Sequence, residues 1–280
     1  MMRCRLCKGE VEKQFDLLVL GRHEVGYNRC RDCGSMQTDD PHWLADAYSA
    51  SLTVSDVGAV RRCLTCRALI WLTLQLLHAR KARLLDYGGG SGLLCRLLRD
   101  IGIDAWTADP YGTSEYARLF SVDMDSAAPG SFDAVTAFEV FEHLPCPEED
   151  LARLFRLSPS VLIASTQPYE TKYDKTWWYL SPHTGQHVFF YSWSALQWLA
   201  GRFGYHLHSV GAWHIFTRQP VNPSVRVALS GVLSAPSLQL CRILMEAMPA
   251  RKHIARDFQT SLAGIEELKT LRVSNPARKP

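Results

Sequence analysis

Twelve residues, RLLDYGGGSGLL at positions 83–94, set the expected fold of this chain. An apolar run that contains Asp86 leads into a glycine-rich turn, after which apolar residues begin a helix-like stretch. Gly88, Gly90 and Gly92 have the spacing Gly-x-Gly-x-Gly, whereas a dinucleotide-binding turn has its third glycine one position later. Glycine is needed where a sharp turn lets a ligand approach the backbone at a helix N-terminus. The pattern predicts a buried strand, a ligand-binding turn and a helix.

Strand-like and helix-like segments alternate around this turn. The strand-like runs cover residues 83–87, 103–108, 132–137 and 161–165, and the helix-like stretches after them cover 93–101, 113–120, 148–156 and 193–203. Such alternation requires right-handed crossovers and a parallel sheet. Two final runs, 205–210 and 213–217, are joined by only two residues, which indicates a hairpin. We therefore predict an α/β fold, a Rossmann-like doubly wound sheet with a terminal antiparallel hairpin strand.

Two further motifs follow the glycine turn in order. Asp109 ends the second strand-like run, and the segment SFDAVTAFEVFEHL at residues 131–144 surrounds the third. Together with the glycine turn, these motifs resemble class I S-adenosylmethionine-dependent methyltransferases, in the branch that includes ubiquinone-pathway O-methyltransferases. The resemblance covers residues 82–217. It implies an enzyme that transfers the methyl group of S-adenosylmethionine, with its ligands at the carboxyl ends of the strands.

The resemblance also implies roles for individual residues in holding S-adenosylmethionine. Asp86 would lie near the methionyl ammonium, where a carboxylate beside a cation is favourable. Asp109 would accept hydrogen bonds from the ribose hydroxyls. The complete set of expected cofactor-binding residues is Asp86, Gly88, Gly90, Gly92, Asp109, Asp123 (toward the adenine amine) and Glu139.

Two cysteine pairs lie near the N-terminus. Cys4 and Cys7 form one Cys-x-x-Cys knuckle, and Cys30 and Cys33 form the other. A two-residue spacer lets both thiolates of a pair reach one ion, and four thiolates complete a closed tetrahedral zinc site. Such a site is structural, because it leaves no open position for water. The alternative is four free thiols in a loop. Similar modules precede the catalytic domain in some bacterial sugar and natural-product methyltransferases.

The other cysteines carry no predicted function. Cys63 and Cys66 repeat the knuckle spacing, but they lie in a helix-like stretch where thiols commonly fill a core. Nine cysteines without a secretory signal argue against a disulfide framework. They favour a reducing compartment, and we expect the cytoplasm.

A second group of polar residues follows the third strand-like run. Glu139, Glu142 and His143 fall within five residues, and His183 and His187 lie in an aromatic loop further on. We expect His143, His183 and His187 to be the candidate bases that remove a proton from the acceptor. The spacing also resembles metal-dependent RNA 2′-O-methyltransferases, which implies Glu139, Glu142, His143 and His187 as metal ligands, with His183 as a substitute. We favour a structural or cofactor-packing role for Glu142 and His143.

Composition limits the choice of partner. The chain has 280 residues, 47% hydrophobic and 21% charged, which excludes disordered and fibrous classes. Its formal charge of +3 is too small to indicate a nucleic-acid partner. No uninterrupted apolar run reaches the ~18 residues that a membrane span requires. We expect a small-molecule acceptor, most simply a sugar-containing or nucleotide-linked biosynthetic intermediate. The alternatives are an RNA methyltransferase and a non-catalytic binding protein.

Four regions are expected along the chain. Residues 1–40 form a small, loop-rich zinc-binding module, and residues 41–82 form a helical connector. The methyltransferase domain spans residues 83–218. A C-terminal extension follows over residues 219–280, with two helices and a basic, frayed tail at 275–280.

Overall fold

A computed structural model describes residues 2–48, 57–246 and 253–274 of the chain, with side chains up to residue 263 except at position 235. The strands are β1 (Val11–Val19), β2 (His23–Cys30), β3 (Met36–Thr38), β4 (Arg83–Tyr87), β5 (Asp104–Ala108), β6 (Ala134–Phe138), β7 (Val161–Ser165), β8 (Phe189–Phe190), β9 (His206–Val210) and β10 (Trp213–Thr217). The helices are α1 (Leu44–Ala47), α2 (Ala59–Leu76), α3 (Leu93–Asp100), α4 (Pro147–Arg156), α5 (Trp193–Arg202), α6 (Pro223–Val232), α7 (Ala235–Glu246) and α8 (His253–Ser274). The tail predicted at 275–280 lies outside the described residues.

The main sheet has the order β5-β4-β6-β7-β10-β9. Strands β5, β4, β6 and β7 run parallel to one another, while β10 is antiparallel to both β7 and β9. Every residue of β7 is buried, which is typical of a parallel strand covered on both faces. The predicted α/β architecture, with its terminal antiparallel hairpin, is confirmed. The chain leaves β4 toward β5 on one side and returns to β6 on the other side, so the strand order reverses at β4. The carboxyl ends of these three parallel strands therefore meet at one edge of the sheet.

Local sequence explains the helices that cover this sheet. Helix α4 has proline in its first turn and three acidic residues there, which complement the helix dipole. Helix α5 begins after Ser192, whose hydroxyl accepts a hydrogen bond from the Ala195 N–H at 3.0 Å. Helices α2 and α3 pack together, and apolar side chains from both join one buried cluster with strand residues. Side chains of α4 and α5 join a second cluster.

The helix predicted over 113–120 does not form, and that expectation was wrong. Only the single 3₁₀ turn Arg118–Phe120 is helical there. The backbone of this segment makes a hydrogen bond to the glycine turn: the Tyr116 N–H donates to the carbonyl of Ser91 at 2.9 Å. Ser121 then makes an isolated parallel bridge to Thr107 of β5. The segment therefore packs against the glycine turn instead of closing its own hydrogen bonds.

The N-terminal region contains more regular structure than the predicted loop-rich module. Strands β1, β2 and β3 form an antiparallel meander, and β8 adds to its edge. Strand β8 comes from the aromatic loop after β7, so the two regions share a sheet. They also share a core, because Cys4, Leu6 and Cys30 belong to the same buried cluster as residues of α4 and α5.

The C-terminal region contains three helices in the described residues, where two were predicted. Helix α8 is joined to α3 through Asp257, whose carboxylate accepts hydrogen bonds from Arg96 at 2.9 Å and from Arg99 at 2.7 Å. Within the described residues, no single helix meets the length and apolarity needed to cross a membrane. Helix α6 and residues 236–246 of α7 meet those limits only as a pair, bent by 76°.

Candidate functional site

The glycine turn connects β4 to α3 by way of left-handed backbone. Gly88, Gly90 and Gly92 have φ values of +73°, +54° and +77°. At Gly88 a Cβ would lie 2.5 Å from the Val140 side chain, whereas at Gly90 nothing lies within 4 Å of that position. The turn therefore leaves its backbone open at Gly90, directly before the N-terminus of α3, where N–H groups are available to a ligand.

Asp86 lies under this turn near the end of β4. Its side chain is buried, and Oδ1 accepts a hydrogen bond from Thr136 Oγ1 at 2.8 Å. Oδ2 is also buried and has no hydrogen-bond partner among the described residues. Burial raises the pKa of Asp86 to about 7, against the lowering effect of the Thr136 hydroxyl. A buried carboxylate oxygen without a partner is suited to a cationic ligand group, and this fits the ammonium that the resemblance implies.

Asp109 ends up beside the same turn, at the end of β5. Its Oδ2 accepts a hydrogen bond from the Gly90 N–H at 2.7 Å. Its Oδ1 accepts from the N–H groups of Tyr111 at 2.8 Å and Gly112 at 2.7 Å. A carboxylate has about four acceptor positions, so one remains for a ligand hydroxyl. Asp123 is different, because it is exposed and accepts a hydrogen bond from the Asp125 N–H in its own turn.

Glu139 follows β6 and has a φ of +51°, which is uncommon for a residue other than glycine. Ser165, at the end of β7, holds it there: its hydroxyl accepts from the Glu139 N–H at 2.9 Å and donates to Oε1 at 2.6 Å. Burial and the neighbouring Glu142 raise the pKa of Glu139 to about 7. Backbone strain of this kind concentrates at functional sites.

Glu142, His143 and His187 form a cluster close to Glu139. One ligand atom from each of the three side chains lies within 4.8 Å of the others. Both imidazoles are fixed by backbone carbonyls: His143 Nδ1 lies 3.1 Å from the Gln186 oxygen, and His187 Nδ1 lies 2.7 Å from the Tyr179 oxygen. Because a carbonyl only accepts, each Nδ1 carries the proton and each Nε2 keeps its lone pair.

Burial keeps both imidazoles neutral, but to different degrees. Burial and the nearby His187 lower the pKa of His143 to about 3. Burial also lowers the pKa of His187, where the Tyr179 carbonyl and the Glu139 carboxylate oppose the shift. Glu142 Oε1 accepts a hydrogen bond from the Tyr179 hydroxyl at 2.6 Å, while Oε2 has no partner among the described residues. The cluster can therefore accept a proton or offer three donors to a divalent ion.

His183 does not join this cluster. Its side chain is exposed in the turn after Ser181, whereas His143 and His187 meet with ring centroids 4.8 Å apart. Trp177 is buried and stacks on Tyr173, whereas Trp178 is 74% exposed.

Sequence reasoning missed Tyr48, whose hydroxyl lies 3.1 Å from His143 Nδ1 and whose ring stacks on Tyr111. It also missed Thr136 and Ser165 as partners of acidic groups. Strand register offers a signal for Thr136, because this residue lies directly opposite Asp86.

The four N-terminal cysteines meet at one point. Cys4 Sγ lies 3.8 Å from Cys33 Sγ, and Cys7 Sγ lies 3.5 Å from Cys30 Sγ. A tetrahedral zinc ion with Zn–S bonds of about 2.3 Å would place its sulfurs about 3.8 Å apart. The donor set and its spacing therefore fit a zinc ion.

The cysteine cluster is connected to the glutamate–histidine cluster through residue 188. Arg5, inside the first knuckle, donates from Nη2 to the Val188 carbonyl, and the Val188 N–H donates to the Glu142 carbonyl at 2.8 Å. On the other side, the Ser192 hydroxyl donates to the Cys33 carbonyl. The knuckles therefore hold both ends of the segment that carries β8, and the first of these contacts is at Val188, directly after His187.

Comparisons with known proteins agree with this geometry. A family model described as "Methyltransferase domain" matches residues 61–210. The ubiquinone biosynthesis O-methyltransferase of Methylococcus capsulatus is 33% identical over 97 residues, which cover 29% of this chain and 40% of that protein. The chain thus matches less than half the length of this curated relative.

Solved structures of similar shape include two methyltransferases. The 1,6-didemethyltoxoflavin-N1-methyltransferase of Burkholderia thailandensis has a TM-score of 0.47 and 15% identity, over 74% of this chain and 97% of that one. The magnesium protoporphyrin IX methyltransferase of Synechocystis PCC 6803 has a TM-score of 0.43 and 15% identity, over 65% and 98% of the two chains.

Proposed function

Since this chain belongs to the methyltransferase-domain family, we propose that it is an S-adenosylmethionine-dependent enzyme that methylates a hydroxyl group of a small molecule. The acceptor class that we propose is a sugar-containing or nucleotide-linked biosynthetic intermediate. The small net charge of +3 supports a small-molecule acceptor over RNA. The proposal rests on two features at the same sheet edge: a buried Asp86 oxygen that has no hydrogen-bond partner among the described residues, and a neutral histidine pair.

The chain's own residues would perform three tasks. S-adenosylmethionine supplies a methyl group on a sulfonium, whose strong leaving group drives much of the reaction. Asp86 would bind the ammonium group, Asp109 would bind a ribose hydroxyl, and the open backbone at Gly90 would face the ligand. Held in this way, the donor and the acceptor hydroxyl can be aligned for in-line displacement.

His187 is the better candidate for the base that removes the hydroxyl proton. Its Nε2 keeps a lone pair, and the Glu139 carboxylate stabilises the imidazolium that proton uptake would create. The pKa of His143 is lowered further, to about 3, and its histidine neighbour opposes protonation. We therefore assign His143 a supporting role, together with Tyr48 and Gln186.

A methyl-transfer screen tests the proposed acceptor class. Purified full-length protein would be incubated with methyl-labelled S-adenosylmethionine and a panel of nucleotide sugars, phenols and short RNAs, with and without added Mn²⁺. We expect label on a small-molecule hydroxyl in the absence of Mn²⁺. Label that appears only on RNA and only with Mn²⁺ would contradict the proposal and favour a catalytic ion held by Glu142, His143 and His187.

Replacing His187 by alanine is expected to lower the rate of methyl transfer by about 100-fold or more, because general-base catalysis contributes roughly that much. Affinity for S-adenosylmethionine should stay within about twofold of wild type, because Asp86 and the glycine turn are unchanged. His183→Ala is the matched control, since His183 is exposed and outside the cluster. An equal loss of methyl-transfer rate in the two variants would show that His187 is not the catalytic base.

Affinity for S-adenosylmethionine should depend on pH. The pKa of Asp86 is raised to about 7, so the carboxyl group becomes neutral as the pH falls and loses its attraction for an ammonium. We expect affinity to fall about tenfold between pH 8 and pH 6, with proton release on binding near neutral pH. Titration calorimetry in two buffers of different ionisation enthalpy measures both effects. Asp86→Asn should show no such dependence, and a flat wild-type profile would count against the assignment.

We also propose that Cys4, Cys7, Cys30 and Cys33 bind one structural Zn²⁺. The chemistry and spacing of the four sulfurs support this. The metal would supply stability that a region of about forty residues cannot obtain from apolar burial alone. The division into a zinc-binding module, a connector, a methyltransferase domain and a C-terminal extension remains part of the proposal, as does a cytoplasmic location.

A further inference from the structure

The three C-terminal helices leave apolar side chains on their outer surface. On α7 these lie at positions i, i+3 and i+4, and on α8 at positions i, i+4 and i+8, so each helix presents one apolar face. Each side chain is between 40% and 60% exposed. The residues, which we call the outer face, are Leu240, Ile243, Leu244, Ile254, Phe258 and Leu262.

The opposite sides of these helices pack on the protein. Helix α7 contacts α2 and buries Leu238 and Met245, and α8 contacts α3 through the buried Asp257. Because α2 and α3 also contact each other, α7 and α8 add a further layer on one side of the sheet. The outer face is the exposed side of these two helices.

Charge is distributed unevenly between this region and the rest of the chain. Residues 219–280 contain nine Lys and Arg against four Asp and Glu, a net charge of +5. Since the whole chain carries +3, the first 218 residues carry 3 − 5 = −2. The excess positive charge of the molecule belongs to its C-terminal extension.

The two acidic side chains described in this extension are both ion-paired, and of the two only Asp257 is buried. Glu246 pairs with Arg67 of α2 at 2.5 Å, and Asp257 pairs with Arg96 and Arg99 of α3. Arg256, next to the outer face, has a side chain that is 56% exposed and lies 3.8 Å from the Asp257 carboxylate. Asp257 thus anchors α8 on α3, while the Arg256 side chain lies exposed between Ile254 and Phe258 of the outer face.

We propose that the outer face docks on a membrane surface rich in anionic lipid headgroups. Apolar side chains beside basic ones match the boundary between acyl chains and headgroups. A second copy of this chain would carry the same positively charged extension, and like charges would oppose that association. This inference is independent of the proposed acceptor.

Vesicle co-sedimentation tests this proposal with the full-length protein. We expect binding to vesicles that contain phosphatidylcholine mixed with phosphatidylglycerol, and binding at least about tenfold weaker to phosphatidylcholine alone. Added salt should weaken the binding to the anionic vesicles, because it screens the attraction. Equal binding to both kinds of vesicle, or no binding to either, would overturn the proposal.

Two double variants locate the surface. Ile243→Glu with Leu244→Glu alters α7, and Ile254→Glu with Phe258→Glu alters α8. Each should reduce vesicle binding at least about tenfold while leaving affinity for S-adenosylmethionine unchanged. Leu18→Glu, at a 58% exposed residue of β1, is the matched control and should bind vesicles normally. If one double variant fails to fold, the other double variant and the dependence of vesicle binding on salt still test the proposal.

Sedimentation velocity tests whether a second copy of this chain covers the outer face instead of a membrane. A dimer that the two double variants abolish, without any vesicle binding by the wild type, would show that a second copy covers the face and would overturn the proposal. A monomer that binds anionic vesicles through both helices supports it.

Discussion

Asp86→Asn is expected to weaken the binding of S-adenosylmethionine by roughly 200- to 4,000-fold. The change keeps the shape of the side chain but removes its negative charge at a fully buried position. Removing one partner of a buried charge pair costs about 3–5 kcal/mol, which corresponds to that range. The loss should be large because Oδ2 has no other partner among the described residues to compensate. Titration calorimetry with S-adenosylmethionine and with S-adenosylhomocysteine measures it.

Asp133→Asn is the control for the effect of removing a carboxylate from the same sheet. Asp133 precedes β6, at the opposite edge, where its Oδ2 accepts a hydrogen bond from the Arg83 N–H at 2.9 Å. We expect a small loss of stability and an unchanged affinity. Similar affinities for wild type and Asp86→Asn would refute the role given to Asp86.

The double change Cys4→Ser with Cys7→Ser is expected to abolish zinc binding and unfold the N-terminal sheet. Structural zinc contributes about 10–16 kcal/mol of apparent binding free energy in small zinc-dependent domains, more than a typical domain's stability. Because Cys4 and Cys30 lie in the same buried cluster as residues of α5, the loss should spread into the methyltransferase core. Elemental analysis should find about one zinc per wild-type chain and none in the variant. Thermal unfolding measures the effect on stability.

Cys146→Ser is the control, since Cys146 is exposed and lies outside the cluster. It should keep its zinc and its unfolding temperature. The zinc site would be refuted if the wild-type protein contained no zinc and unfolded at the same temperature as the Cys4→Ser/Cys7→Ser variant. The four thiols would then only fill space in the core.

The main sheet could be predicted because its strands are short apolar runs bounded by turn residues. The glycine turn was equally visible, since three alternating glycines have few structural uses. The segment 113–120 was misread because Tyr116, Leu119 and Phe120 have helical spacing. Spacing alone does not show that the Tyr116 N–H bonds to Ser91 across the glycine turn.

The candidate site shows the same limit. The acidic and histidine residues could be listed from their motifs, and the structure brings Glu142, His143 and His187 together. The protonation states of these side chains could not be predicted from the sequence, because they depend on burial. Asp86 and Glu142 each bury an oxygen that has no hydrogen-bond partner in the described parts of the chain, and this burial arises only once distant strands exclude water. Tyr48 reaches His143 across 95 positions of sequence, and no local pattern marks such a contact.

The pairing of β3 with β8 also constrains the order in which the chain can fold. Met36 pairs with Phe190, so the edge of the N-terminal sheet must wait until most of the chain has been synthesised. Contacts this distant in sequence close slowly, because the entropy of a long loop is lost before the contact is gained. During synthesis, the four clustered cysteines emerge well before β8, the strand that completes the N-terminal sheet. A fragment limited to residues 61–210 would leave Phe189 and Tyr191, both fully buried in the whole protein, without the sheet that covers them.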